Sequence, residues 1–95
     1  MSDDKNINKV QDTLLEFPCE FHVKAIGLAE NSFDLLVAEL VSNHVENVLE
    51  SAIESRESSN GKYLSVTITI TATSKPQLDA IYQDLSDHKL VVMAL

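Results

Sequence analysis

Ninety-five residues, of which 30 are Leu, Val, Ile or Phe, are enough for one folded domain with an aliphatic core and leave no room for a second. Seven Lys and Arg against fifteen Asp and Glu give a formal charge of −8, which repels phosphate backbones and anionic lipid and so speaks against a nucleic-acid or membrane partner. The start Met1-Ser2-Asp3-Asp4 lacks the basic and apolar regions of an export signal, no apolar run approaches the ~20 residues of a membrane span, and the single Cys19 cannot close an internal disulfide, so a cytoplasmic protein is expected.

Residues 1–9 show no apolar period and read as a flexible arm, with one domain over residues 10–95. Val10, Leu14 and Phe17 stand at helical spacing and predict a turn or two of helix leading to Pro18. Phe21, Val23 and Ala25 then alternate with His22, Lys24 and Ile26 up to Gly27, the period of a strand with one buried face. From Phe33 the apolar positions 33, 36, 37, 40, 41, 45 and 48 predict a helix, with Asn31 as its N-cap and Asp34 as its capping partner. Leu49 to Arg56 reads as an edge strand kept from unwanted pairing by Glu50, Glu54 and Arg56. Asn60-Gly61 predicts a tight hairpin, because both residue types accept positive φ.

Tyr63 to Ala72 alternates without a break and must be a strand. Ser74 and Gln77 form a capping box for a second helix, whose buried stripe is Leu78, Ile81, Tyr82 and Leu85; Pro76 is tolerated in its first turn. His88-Lys89 ends this helix, and Leu90 to Leu95 forms a closing strand. The order β-α-β-β-α-β, with right-handed crossovers, predicts an α+β ferredoxin-like sandwich: a four-stranded antiparallel sheet with the first and third strands central and both helices on one face.

Few residues stand in patterns that carry chemistry. Cys19 and His22 suggest a thiolate-imidazole pair, yet residues three apart in a strand point to opposite faces. His22, His44 and His88 share none of the paired spacings of zinc ligands, and His44 continues a helix stripe, so no metal is expected. Phosphate loops, nucleophile elbows and zinc-protease motifs are absent; the carboxylates read as solvated positions, and neither an enzyme nor a cofactor is expected.

The sheet face away from the helices carries Lys24, Ile26, Tyr63, Ser65, Thr67, Thr69 and Thr71. RNA-recognition motifs share this topology, and Gly61-Lys62-Tyr63 resembles the start of their third-strand motif, but Ser65, Thr67 and Thr69 stand where base stacking needs aromatic rings. What remains is either a plain wet face or a docking surface for a protein partner, with Lys24, Tyr63, Ser65, Thr67 and Thr69 as the candidate contacts. Should the domain self-associate, the uncharged last strand is the expected edge of a weak homodimer.

Three blocks resemble one known group. Leu14-Leu15-Glu16-Phe17-Pro18 leads into Phe21, Lys24 and Gly27; Gly61 to Thr73 reads GKYLSVTITITAT; and the chain ends Val91-Val92-Met93-Ala94-Leu95. Together these are similar to the YbeD family of small uncharacterised bacterial proteins. The resemblance implies a ferredoxin-like fold akin to the ACT regulatory domains, no established activity, and a link to lipoate metabolism through neighbouring genes. It also implies a ligand loop between the first strand and first helix, here Gly27 to Asn31. A non-enzymatic regulatory or protein-interaction domain is therefore expected, with an ACT-like small-molecule sensor using Gly27 and Asn31 as the alternative.

Overall fold

The computed structural model describes residues 16–95. The arm and the residues Val10 and Leu14 of the first predicted helix lie outside this range; Phe17, the last residue of that stripe, lies in a bend. The elements run β1 (Cys19–Leu28), α1 (Phe33–Ser42), a 3-10 turn (Glu50–Ala52), β2 (Ile53–Glu57), β3 (Tyr63–Ala72), α2 (Lys75–Asp87) and β4 (Val91–Ala94). The sheet is antiparallel throughout with strand order β2-β3-β1-β4, the ferredoxin-like plan. Central β1 and β3 pair over their full ten residues, from Cys19 opposite Ala72 to Leu28 opposite Tyr63.

Alternation explains that pairing. Val23 and Ala25 on β1, and Val66, Ile68, Ile70 and Ala72 on β3, are buried on one face. Phe33, Val37 and Val41 of α1 and Leu78, Ile81 and Leu85 of α2 close over them. Removing this aliphatic surface from water is the main force holding the layers together.

Gly27 lies on the core face of β1, where the ring of Phe33 fills the space its missing side chain leaves. A Cβ there would overlap that ring and come within 2.6 Å of the Leu90 carbonyl oxygen. Opposite this point β4 carries an extra residue: Ile26 pairs with Met93 but Gly27 pairs with Val91, so Val92 bulges out and is 62% exposed. The β1–β4 ladder then continues through reciprocal backbone bonds between Lys24 and Leu95.

Four expectations need correction. The stripe from Phe33 to Val48 is not one helix, because α1 stops at Ser42 and the His44 N–H then closes on the Val41 carbonyl at 3.0 Å, a three-residue bond that tightens the helix end instead of continuing it. Val45 and Val48 reach the core from the irregular segment that follows, which turns at Asn47 with φ 59. Asn31 is not the N-cap of α1: Asn31 and Ser32 both adopt left-handed backbone (φ 59 and 53), and Ser32 occupies the cap position without a side-chain bond. Two such residues swing the chain from β1 back over the sheet, a geometry that the extended backbone of an ordinary N-cap does not give.

The second strand starts at Ile53 rather than Leu49. Residues 50–52 form the 3-10 turn, closed by Ala52 N–H to the Leu49 carbonyl, which moves Glu50 off the edge and leaves Glu54, Arg56 and Glu57 on it. Finally, in the hairpin only Gly61 takes a positive φ. The loop is wider than a two-residue turn and is held by Ser58, whose hydroxyl accepts from Tyr63 N–H at 3.0 Å, and by Asn60 Oδ1, which accepts from Lys62 N–H at 3.0 Å.

The second helix begins as expected, with an addition. The Ser74 hydroxyl accepts from Gln77 N–H at 3.2 Å. Gln77 Oε1 accepts from Thr73 N–H, one residue before the cap, while its Nε2 donates to the His44 carbonyl at 2.9 Å. The side chain thus fastens the irregular segment to α2, and a hydrogen bond between His44 Nε2 and Asp84 Oδ2 fastens it a second time.

Candidate interaction face

Strand register places the open face as a grid. Across β2, β3, β1 and β4 one row reads Arg56, Ser65, Ile26, Met93, and the next reads Glu54, Thr67, Lys24, Leu95. Thr69 faces His22 and Thr71 faces Glu20 at one end; Tyr63 faces Leu28 at the other. Lys24, Tyr63, Ser65, Thr67 and Thr69 therefore do share one face, because each is an even number of residues from its neighbours along its strand or sits directly opposite one across the ladder.

The face is wet at one end and apolar at the other. His22 Nδ1 is hydrogen-bonded to Thr69 Oγ1 at 3.0 Å, and its Nε2 lies 3.5 Å from a Glu20 carboxylate oxygen. Toward β4 the exposed large apolar side chains collect. Of the seven such residues among the described ones, Leu28, Tyr63, Met93 and Leu95 lie on this face and Val92 lies on its edge; Leu35 and Leu49 lie elsewhere. Beside them, Lys62 Nζ stands 5.4 Å from the centre of the Tyr63 ring, a cation-π distance. Lys24, Arg56 and Ser65 line two adjoining hollows of about 310 and 230 Å³.

The other predicted groups do not converge. Cys19 pairs with the buried Ala72 and packs against the core, whereas His22 points to the open face, so the two never meet. The histidines are far apart in role: His22 on the sheet, His44 against Asp84, and His88 Nδ1 accepting from Leu90 N–H at 3.1 Å. Among the described residues no group of three or more His, Cys, Asp and Glu side chains is arranged to hold a metal ion. Nor is any described helix long and apolar enough to cross a membrane. In the Gly27 to Asn31 segment, Phe33 occupies the space over Gly27. Asn31 is exposed in its left-handed turn.

Two features escape a reading of the sequence. Arg56 and Lys62 join Lys24 only through the hairpin, a pairing that residue spacing does not display. A groove of about 590 Å³ at the opposite end of the sheet, lined among others by Glu20, His44, Leu49, Thr71 and Gln77, exists because α1 stops early. Its only trace in the sequence is Ser42-Asn43 interrupting the stripe.

Tyr82 is half-buried where α2 meets β1 and the end of β4. Its ring meets Phe21 edge to face with centroids 6.4 Å apart, and its hydroxyl donates to the Leu95 carbonyl at 2.6 Å. Burial pushes the phenol above its ordinary 10.0, so it stays a neutral donor.

Comparison with known proteins agrees with the fold and the resemblance. A model of the family "Protein of unknown function (DUF493)" matches residues 12–95. A UPF0250 protein of Nitrosomonas europaea is 41% identical over 85 residues, covering 90% of this chain and 98% of its own. One from Chromobacterium violaceum is 40% identical over the full length of both chains. The solution structure of protein HP0495 from H. pylori superposes with a TM-score of 0.65 at 19% identity, over 85% of each chain, and supports the same architecture.

Proposed function

The chain belongs to the DUF493 family of proteins of unknown function, and from that premise we propose that it is a non-enzymatic docking domain, regulatory in role, whose open sheet face receives another protein in the cytoplasm. One observation carries this reading: among the described residues, five of the seven exposed large apolar side chains lie on this face or its edge, Val92, Met93 and Leu95 at β4, Leu28 on the neighbouring β1 and Tyr63 opposite Leu28 on β3. Scattered exposed leucines are ordinary, whereas a contiguous apolar patch beside polar residues is the usual anatomy of an interaction surface. The regulatory role, and a link to lipoate metabolism, are drawn from the resemblance to the YbeD family.

A photoreactive amino acid at Met93, introduced in the native host, tests the reading. It should yield one discrete cross-linked protein, at least fivefold less of it when Ile26→Asp is added, with an unchanged circular dichroism spectrum. A cross-link that ignores Ile26→Asp, or none above background, overturns it. Identification of that protein as an enzyme of lipoate attachment would support the metabolic link, and an unrelated enzyme would remove it.

The edge of β4 favours a second reading, a weak homodimer. Val91–Ala94 carries no charge, while β2 displays Glu54, Arg56 and Glu57. Sedimentation should then depend on concentration and cease to do so in Val92→Lys; a strict monomer at high concentration excludes it. Four residues of pairing make a small interface, so the association should be weak.

A further inference from the structure

We propose that the segment docking on the open face is an acidic one, with a carboxylate seated between Lys24 and Arg56 over the Ser65 hydroxyl. This rests on the docking reading and adds the chemistry of the partner. The chain is acidic overall at −8, yet three of the five Lys and Arg among the described residues, Lys24, Arg56 and Lys62, collect at the Tyr63 end of this one face. Lys75 is paired with Asp79 at 3.2 Å, whereas among the described residues none of these three makes an ion pair.

Register fixes their geometry. Arg56 lies directly opposite Ser65 on β3, and Lys24 lies opposite Thr67 on the other side of the same strand. Neighbouring strands are about 4.8 Å apart, so the two cations flank a strip of two hydroxyls that can donate to a carboxylate between them. The adjoining hollows are bounded by the same Lys24, Arg56 and Ser65. An arginine fork and a lysine point charge together suit a carboxylate, and the apolar Ile26 and Met93 one step along the row suit an apolar neighbour.

The same face argues against a polyanion. Glu54 borders the larger hollow and Glu20 lies further along the sheet, so a run of phosphates would meet repulsion that a spaced carboxylate avoids. The ligand class is thus an extended protein segment in which acidic and apolar residues alternate.

The probe is a labelled ten-residue peptide alternating Asp and Leu, titrated against the full chain by fluorescence anisotropy beside its Asn-for-Asp counterpart and a ten-nucleotide single-stranded RNA. Saturable binding of the Asp peptide is expected, at least fivefold weaker for Lys24→Gln and for Arg56→Gln, weaker in high salt, and at least fivefold tighter than for the Asn peptide. Both substitutions are at surface positions, and circular dichroism confirms that each variant is folded. Equal binding of the two peptides, both lost in Ile26→Asp, would overturn the acidic assignment and leave the docking reading standing. Absence of binding to either peptide, insensitivity to both cation substitutions, or preference for the RNA would also overturn it, while the Met93 cross-link judges the docking reading separately.

Discussion

The two faces of β1 and β3 are made by the same twenty residues, yet they obey different rules. On the helix side Val23, Ala25, Val66, Ile68 and Ala72 are completely buried. On the other side Lys24, Ser65, Thr67 and Thr69 share their strands with those residues but stay partly open to water. Stability is thereby assigned to one face, and the other is left free to change its chemistry at little cost to the fold.

The sharpest way to break this contrast is a carboxylate on either side of one peptide bond. Ile68→Asp should prevent folding, since an unpaired buried charge costs several kcal/mol out of the ~5–15 available to a small domain, whereas Thr67→Asp should fold. Equal loss of circular dichroism in both variants would refute the register. Gly27→Ala tests the core face at its tightest point. Its Cβ would collide with the Phe33 ring and the Leu90 carbonyl, and overpacking of this kind should lower the unfolding free energy by about 1–3 kcal/mol in urea titration.

A smaller loss, about 1 kcal/mol, should follow from Gln77→Ala, which removes the acceptor for Thr73 N–H and the donor to the His44 carbonyl. The smallest effect depends on pH. Because the folded state holds the Tyr82 phenol above its ordinary 10.0, the stability it contributes is fully present below pH 10 and is lost as pH rises through the raised value. The advantage of wild type over Tyr82→Phe in urea midpoint should therefore hold up to pH 10 and shrink as pH rises above it. A constant difference would show that the phenol does not titrate with folding.

The contrast between the faces was legible in the sequence because half-burial imposes a period of two, and Tyr63 to Ala72 keeps it without exception. For the same reason Lys24, Tyr63, Ser65, Thr67 and Thr69 could be assigned to one surface. The end of α1 was not legible, since Val45 and Val48 fall in phase with the helix they no longer belong to, and burial alone does not distinguish a side chain held by a helix from one held by a loop. The turn at Asn31 and Ser32 is not legible, because Asn serves both as N-cap and as a left-handed residue. The cationic half of the candidate site depends on which residues β2 places opposite β3, and spacing along one strand carries no information about its neighbour's register.

The double fastening of His44 has a consequence for how the molecule breathes. The segment between α1 and the 3-10 turn has no ladder of its own, so its order is borrowed from α2 through Gln77 and Asp84. The His44 amide, which donates to Val41 at the end of α1, should consequently exchange with solvent at the pace at which α2 lifts from the sheet. The connection and the helix then form one cooperative unit that opens together, although 33 residues of chain separate His44 from Gln77.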